Sequence, residues 1–354
     1  MPARDFGSRR LTVELTNICN LHCSYCLRDE DALYHTPANF LLPEFLESII
    51  KQAKEVIGID HVAFTGGEPT LHPQFDQILA VVSTNGLKTS FVTNGWNFQK
   101  IWPTLAAHRD VITHASFSLD GVTREEHDKW RGDGSFVRIV RAFSLCFAGD
   151  LPFLIKVGIR RDTFERLEQF ALFAARMRAA GLNFGHVMPT SPEVEESSAL
   201  NLDERRGAEQ EVANLARIFK MKIGMDVGYH NVNPAPACSA LAGYSCNVDY
   251  QGRLSLCCNL SGFRGAIGEE DVAADLRTQD FARAYAAVSI IAREKITARQ
   301  TRLHDLTTHE LPVDLYSASP CLFCLDTSGK LPWRHSATES PMSSRSLPVL
   351  GAVG

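Results

Sequence analysis

Three cysteines, Cys19, Cys23 and Cys26, lie close together directly after the apolar segment 11–15. Iron–sulfur clusters are held by cysteine thiolates, and a cubane needs one ligand for each iron. Three local cysteines therefore leave one iron open, where a small molecule can bind and accept an electron from the cluster. A structural zinc site needs a closed set of four ligands. No fourth cysteine completes this loop at zinc-like spacing, although His22 lies inside it.

The CxxxCxxC spacing, with Tyr25 directly before the last cysteine, resembles the signature of the radical S-adenosylmethionine (radical SAM) superfamily. This resemblance implies that Cys19, Cys23 and Cys26 hold a [4Fe-4S] cluster, that SAM chelates the fourth iron, and that Tyr25 belongs to the cofactor site. In the family, an electron from the cluster cleaves SAM to methionine and a 5′-deoxyadenosyl radical. That radical abstracts a hydrogen atom from the substrate.

Composition narrows the class of protein. The 354 residues are 45% hydrophobic, which suits one large or two smaller globular domains. A formal net charge of −5 gives no electrostatic footprint for nucleic acid. No apolar run is long enough to span a bilayer, and the polar residues 1–10 do not resemble a signal peptide. The 10 cysteines therefore indicate metal or redox chemistry in the cytoplasm and not disulfides.

Apolar segments alternate with segments of helical period up to about residue 220. The predicted strands are 11–15, 61–65, 88–93, 114–119, 153–159 and 183–188, and the predicted helices are 43–57, 73–83, 98–107, 135–148, 163–180 and 203–220. The fifth helix is expected to begin at a capping box of Asp162 and Glu165 and to end at Gly181. Six strand–helix units predict parallel strands with right-handed crossovers, an α/β fold that forms a partial TIM barrel. The resemblance implies the same (β/α)6 core.

Ligands of such sheets bind beyond the carboxyl ends of the strands. After the second strand, Gly66 and Gly67 allow the backbone to approach a ligand closely, and Glu68 can accept a hydrogen bond from an ammonium group. Together with Pro69 these residues resemble the family's GGEP motif, which meets the amino group of SAM. A simple turn is the alternative.

Further polar residues follow the third, fourth and fifth strands. Asn94 lies in a segment that resembles a family segment at the same rim. Ser118 and Asp120 are candidates for hydrogen bonds to the ribose or methionine part of SAM, with loop or helix capping as the alternative. Lys156 and Arg160 are candidates for binding the SAM carboxylate, with a solvated surface charge as the alternative.

A second group of cysteines surrounds a predicted β-hairpin at 246–257. A two-residue turn at 251–252 would place Cys246 opposite Cys257. Neighbouring residues on a strand point to opposite faces, so at most one of Cys257 and Cys258 is expected to be a metal ligand.

The spacing of Cys238 and Cys257 around this hairpin resembles the auxiliary-cluster domains called SPASM and twitch. The pair Cys321 and Cys324 could close the same site, and no cysteine follows it, as in the shorter twitch form. The resemblance therefore implies one auxiliary [4Fe-4S] cluster on these four residues, with Cys246 left open as a replacement for one of them. A zinc site with four thiolates is the alternative. A cluster with four protein ligands has no open iron, which indicates electron transfer.

The expected organisation is an N-terminal extension at 1–10, a radical SAM core at 11–190, a linker with the last barrel helix at 191–237, a small cysteine-rich α+β auxiliary domain at 238–330 and a disordered tail at 331–354. Residues 269–300 are predicted to form a helix within the auxiliary domain.

The resemblance leaves the substrate open. Twitch and SPASM enzymes include peptide and protein maturases as well as enzymes that act on small molecules, such as an aminocyclitol dehydrogenase and a molybdopterin-precursor cyclase. Oxidation or crosslinking of a peptide or protein side chain is slightly favoured over oxidation or rearrangement of a small polar metabolite such as an aminocyclitol or sugar.

The family also implies partners. A reducing partner such as flavodoxin or ferredoxin is expected. A leader-peptide recognition protein would have to be separate, because only about ten residues precede the first strand. A non-enzymatic zinc-binding scaffold is the alternative from another class. No catalytic acid or base is identified by spacing.

Overall fold

The computed structural model describes residues 8–28, 30–233, 238–263 and 269–335. Its strands are β1 (Arg10–Glu14), β2 (His61–Thr65), β3 (Lys88–Thr93), β4 (Ile112–Leu119), β5 (Phe153–Ile159), β6 (Gly181–His186), β7 (Lys222–Met225), β8 (Ser245–Val248), β9 (Arg253–Ser255) and β10 (Val272–Asp275). All ten belong to one sheet, in the order β10-β9-β8-β1-β2-β3-β4-β5-β6-β7. The strands from β1 to β7 are parallel to their neighbours, which confirms the predicted α/β fold.

The α-helices are α1 (Pro43–Ile57), α2 (Phe75–Thr84), α3 (Phe98–Ala107), α4 (Arg124–Arg131), α5 (Ser135–Ala148), α6 (Leu167–Arg176), α7 (Pro192–Ser197), α8 (Leu202–Ile218), α9 (Phe281–Thr308), α10 (Leu315–Ala318) and α11 (Pro320–Thr327). Helix α1 begins at Pro43 and ends before Gly58, whose φ of 65° is the left-handed conformation that favours glycine. Among the described helices, none is both long and apolar enough to cross a membrane.

The sheet separates an apolar face from a polar one. Leu11 and Val13 of β1 are fully buried in the core beneath the helices, whereas Glu14 points to the other face. The positive charge of Arg10 on β1 opposes the rise in the pKa of Lys156 on β5, so the two side chains lie near each other. Three strands, β2, β3 and β4, nevertheless lie between β1 and β5 in the sheet. A flat sheet would hold these strands about 19 Å apart, at about 4.8 Å for each step between neighbours. The sheet is therefore curved into a partial barrel whose inner face is polar.

The six predicted strands are confirmed, and β2, β3 and β5 have the predicted bounds. The seventh parallel strand, β7, was not predicted, because its four residues Lys-Ile-Gly-Met show no strong pattern. The predicted capping box at Asp162 is wrong. Its carboxylate accepts hydrogen bonds from Arg160 and Trp130, a 3₁₀ turn precedes α6, and Gly181 begins β6.

The predicted hairpin is confirmed as β8 and β9, but its register is shifted by one residue. Asn247 pairs with Ser255, so the expected opposition of Cys246 and Cys257 is wrong. The Asp249 carboxylate accepts from the backbone amides of Gln251 and Arg253 and holds a longer turn. Strand β8 also lies parallel to β1, so the hairpin extends the barrel sheet.

The helix predicted at 269–300 is wrong in its first part, where β10 pairs antiparallel with β9. The helix α9 begins later, with Asp280 as its N-cap, and continues to Thr308. Leu331, at the start of the predicted tail, is fully buried, and the Trp333 indole donates to Glu195 at 2.7 Å. The remainder of that tail, 336–354, lies outside the described residues, as do residues 1–7.

Candidate active site

Cys19, Cys23 and Cys26 lie in the loop that follows β1, and all three are half-buried free thiols. The amide of Cys26 donates to the carbonyl of Cys23 at 3.0 Å and closes a tight turn. Burial and, to a smaller extent, the nearby Glu68 carboxylate raise the pKa of Cys19 to about 12. A thiol in such surroundings gives up its proton when a metal cation takes its place. The donors therefore fit an iron–sulfur cluster chemically.

The loop after β2 is fastened to the backbone that enters this cysteine loop. The amide of Gly67 donates to the Thr16 carbonyl at 2.9 Å, and the amide of Glu68 donates to the Ile18 carbonyl at 2.8 Å. A Cβ atom on Gly67 would lie 1.9 Å from the Ile18 carbonyl oxygen, and Gly66 has a φ of 127°. The two glycines are thus required by close approach to the chain's own backbone.

Glu68 is 1% exposed and is held by four donors. The hydroxyls of Thr70 and Thr93 donate to its Oε1 at 2.6 and 2.8 Å, the Thr70 amide donates to the same atom, and the Asn94 amide donates to Oε2 at 2.8 Å. The Asn94 side-chain amide also lies 3.8 Å from the Cys19 sulfur. Burial raises the pKa of Glu68. The two predicted residues Glu68 and Asn94 therefore border the cysteine loop.

Asp120 is the centre of a buried charge cluster at the end of β4. It accepts from Nη1 of Arg160 at 2.6 Å, and its other oxygen contacts Nε of Arg131 and the hydroxyl of Tyr25. Burial opposes ionisation of Asp120, but the two guanidinium groups outweigh burial and hold its pKa well below the usual range. The Arg160 guanidinium also stacks over the Trp130 ring, 4.1 Å from its centroid. The cluster binds β4 and β5 to the cysteine loop through Tyr25.

Sequence reasoning did not assign Arg131 to the site. The signal that could have found it is its position as a cation at the end of α4, shortly after the fourth strand.

Ser118 lies beside Lys156 in the pairing of β4 and β5. Lys156 forms an ion pair with Asp226, directly after β7, so it lies on the inner face and away from the Asp120 cluster.

Glu14 is a second functional candidate that sequence reasoning missed. It ends β1 on the inner face, is 1% exposed, and accepts from Arg28 at 3.0 Å and from Asn247 at 3.1 Å. Burial raises its pKa to about 7, although Arg28 opposes that shift. Its carboxyl group thus joins the barrel, the end of the cysteine loop and the hairpin. In the sequence it was one polar residue at the end of an apolar strand.

The second group of cysteines lies close enough to Cys238 for its charge to add to their raised pKa values. Burial is the main cause for Cys321 and Cys324, whereas the pKa of Cys257 is raised first by a hydrogen bond with the neighbouring Cys258, then by burial. Three of these sulfurs face backbone amides: Leu241 N to Cys238 at 3.5 Å, Asn259 N to Cys257 at 3.5 Å and Gly228 N to Cys321 at 3.4 Å. Such N–H contacts stabilise metal-bound thiolates. Cys321 and Cys324 lie on one face of α11.

Cys246 is outside this group. It is 2% exposed, and burial alone raises its pKa to about 12. Across residues 8–28, 30–233, 238–263 and 269–335, no three His, Cys, Asp or Glu side chains converge as closely as a metal ion requires. The ligand sets therefore stay predictions.

A model of the radical SAM superfamily matches residues 13–174. The chain contains a radical SAM domain. Mycofactocin maturase MftC of Mycobacterium tuberculosis is 34% identical over 175 residues, which are 48% of this chain and 42% of MftC. GTP 3′,8-cyclase of Synechococcus elongatus is 30% identical over 188 residues, which are 51% of this chain and 56% of the cyclase. The chain thus spans about half the length of the curated relatives it matches.

Two solved structures share the fold of this chain. Streptococcus suis SuiB bound to precursor peptide SuiA has a TM-score of 0.64 at 15% identity and covers 78% of this chain, which covers 64% of SuiB. The anSMEcpe structure with bound AdoMet has a TM-score of 0.65 at 15% identity, with 82% and 83% of the two chains covered. Because the matched shares exceed the radical SAM domain, the likeness of fold includes part of the C-terminal region.

Proposed function

We propose that this chain cleaves SAM reductively at a [4Fe-4S] cluster held by Cys19, Cys23 and Cys26. The attachment of the Gly66-Gly67 loop to the backbone before these cysteines is the observation that carries the proposal, because it joins the two motifs at one rim of the barrel. When bound, the cluster supplies the electron that converts SAM to methionine and a 5′-deoxyadenosyl radical.

The chain's own residues bind and orient SAM in this proposal. Glu68 accepts from the amino group of SAM, and the two threonine hydroxyls fix the direction of its carboxylate. Ser118, Tyr25 and Asp120 border the ribose and methionine side of the site. Arg160 is also proposed to attract the SAM carboxylate through its positive charge. Its ion pair with Asp120 compensates part of that charge at this rim of the barrel.

We also propose an auxiliary [4Fe-4S] cluster on Cys238, Cys257, Cys321 and Cys324. The grouping around Cys238 and the amides that face three of the sulfurs support it. With four protein ligands this centre would accept the electron left on the substrate after hydrogen abstraction, so that the substrate loses two electrons in total. A zinc centre would use the same four thiolates, all bound to a single ion, without that electron transfer.

A peptide or protein side chain is the proposed substrate, modified by oxidation or crosslinking. One relative is called a maturase, and the SuiB structure contains a precursor peptide. The GTP 3′,8-cyclases support the alternative of a small polar metabolite. A flavodoxin or ferredoxin is the proposed reductant, a separate protein is proposed to recognise a leader peptide, and the cytoplasm is the proposed location.

The proposal is tested by 5′-deoxyadenosine formation. Anaerobically reconstituted protein is given reductant and SAM, and host extract is added as a small-molecule fraction or as a peptide-and-larger fraction. Stimulation by the large fraction supports a maturase, and stimulation by the small fraction supports a metabolite oxidase. If the iron-loaded protein forms no 5′-deoxyadenosine under any addition, the proposed activity is wrong.

A further inference from the structure

Helix α9 places an arginine in an apolar stripe. Phe281, Val288 and Ala292 are buried on the face that packs against the rest of the chain, and Arg299 continues that face with only 5% of its surface exposed. Arginine is rarely so deeply buried unless a partner compensates its charge. The position therefore needs a specific anion.

The described residues do not supply a carboxylate for this guanidinium. Arg299 donates to the carbonyls of Asn233 at 3.1 Å and Ser317 at 3.3 Å, and also to the carbonyl of Asn231. Its Nε is buried and has no hydrogen-bond partner in the described parts of the chain. Carbonyl groups accept hydrogen bonds but carry no net charge. A buried cation held in this way is unfavourable unless an anion lies nearby.

The backbone segment 228–231, which accepts a hydrogen bond from Arg299, also contacts one of the cysteines. The Gly228 amide donates to the sulfur of Cys321 at 3.4 Å, and the Ser319 hydroxyl donates to the Gly228 carbonyl at 3.1 Å. Three residues further on, Asn231 accepts from Arg299 and its amide donates to the carbonyl of Ala318 at 2.7 Å. The guanidinium thus lies behind the cysteine group. Burial lowers the pKa of Arg299, and Cys324, then Tyr229, Cys238 and Cys321 oppose that shift, while Lys295 on the same helix also acts on Cys324.

We propose that Arg299 is the counter-charge of the metal–thiolate centre at Cys238, Cys257, Cys321 and Cys324 and raises the reduction potential of that centre. This inference rests on the auxiliary cluster in the proposed function. A [4Fe-4S] cluster with four thiolates changes its net charge from −2 to −3 when it gains one electron. A fixed positive charge stabilises the more negative form, so Arg299 helps the cluster to accept an electron from the substrate radical.

The test uses the full chain with Cys19, Cys23 and Cys26 all replaced by alanine, so that only the auxiliary centre can hold iron. Into this parent are placed Arg299→Met, which removes the charge at similar length, and Arg299→Lys, which keeps it. Arg293→Met is the matched control, because Arg293 is exposed on the same helix. After anaerobic reconstitution, the iron content and the midpoint potential are measured, the latter by redox titration followed by electron paramagnetic resonance.

We expect Arg299→Met to shift the midpoint potential to a more negative value, while Arg299→Lys and Arg293→Met stay close to the parent. Loss of iron in Arg299→Met but not in Arg299→Lys also supports a role of the charge. The inference is overturned if Arg299→Met leaves both the potential and the iron content of the parent unchanged, or if Arg299→Lys behaves like Arg299→Met.

The iron content of the parent separates this outcome from failure of the proposed function. About four irons per chain in the parent support the auxiliary cluster, whatever the Arg299 variants do. A parent that binds no iron, or only zinc, overturns the auxiliary cluster and the role of Arg299 together.

Discussion

The amide of Gly67 donates to the carbonyl of Thr16 at 2.9 Å, which fixes the loop after β2 to the backbone before the cysteines. A Cβ atom at position 67 would lie 1.9 Å from the Ile18 carbonyl oxygen, far inside van der Waals contact. Gly67→Ala must therefore displace the cysteine loop. We expect it to lower the free energy of unfolding by about 2 kcal/mol and to reduce the iron content that we propose Cys19, Cys23 and Cys26 to hold.

Urea denaturation and iron analysis measure both effects. Gly207→Ala is the control, because a Cβ atom there meets nothing within 4 Å and the residue lies inside α8. Alanine in a helix is favoured over glycine, so this control should gain about 0.5 to 1 kcal/mol. Unchanged iron and stability in Gly67→Ala would show that the contact between the two loops is not rigid.

Much of the barrel was predictable, because each strand and each helix must bury apolar side chains in the core. This requirement produces a regular alternation of apolar strands and amphipathic helices along the sequence. The three strands with correct bounds are short segments rich in β-branched or apolar residues between clear turn signals. β7 was missed because only Ile223 and Met225 of its four residues are apolar, and it is recognised only by its pairing with β6. The hairpin register failed for a similar reason: the Asp249 carboxylate caps the turn and adds a residue to it.

The cysteines were predictable as groups, but the charges around them were not. Spacing along the chain shows which thiols are near one another. It does not show that Asp120 takes two guanidinium groups, or that Glu14 meets Asn247 across more than 230 residues of sequence. Those contacts depend on the curvature of the sheet and on the pairing of β8 with β1. Long-range electrostatics therefore had to come from the structure.

Asp120→Asn tests the buried charge cluster. The substitution leaves Arg131 and Arg160 buried without their common carboxylate, and removal of one partner from a buried ion pair costs about 3 to 5 kcal/mol. The pKa of Asp120 lies below its value in the unfolded chain. Its contribution is therefore complete at neutral pH and is lost only as the pH falls below about 4. We expect a constant loss of stability between pH 6 and pH 8, measured by urea denaturation.

Asp162→Asn serves as the control for this cluster. Its carboxylate also accepts from Arg160, at 3.0 Å, but its side chain is 39% exposed. An exposed pair contributes at most about 1 kcal/mol, so this variant should remain close to wild type. Equal losses in Asp120→Asn and Asp162→Asn would mean that burial of the Asp120 cluster adds nothing to its strength.

Glu14→Gln should change how stability depends on pH. The folded protein keeps the Glu14 proton up to about pH 7, whereas the ordinary pKa is 4.5. Wild-type stability should therefore fall as pH rises from about 4.5 to about 7, and stay level above that range. The expected fall in the free energy of unfolding over this range is about 3 kcal/mol, since a shift of one pKa unit corresponds to about 1.4 kcal/mol. Glutamine cannot titrate, so the variant should lack this fall.

Urea denaturation at pH 5, 6 and 7.5 measures the slope for Glu14→Gln. Glu55→Gln, an exposed substitution on α1, should keep the wild-type slope. Parallel slopes for wild type and Glu14→Gln would contradict the raised pKa, and would mean that Arg28 keeps the carboxylate ionised throughout this range.

Cys246→Ala and Cys324→Ala separate the core thiol from the proposed ligands. Cys246 lies on the buried face of β8 and its pKa is raised by burial alone, whereas Cys324 is near Cys238 and Cys321. In the chain that lacks the first three cysteines, we expect Cys246→Ala to keep about four irons per chain and to lose about 1 kcal/mol of stability. Cys324→Ala should lose most of its iron. Loss of iron in Cys246→Ala with retention in Cys324→Ala would exchange the two assignments, and the auxiliary centre would then lie against β8.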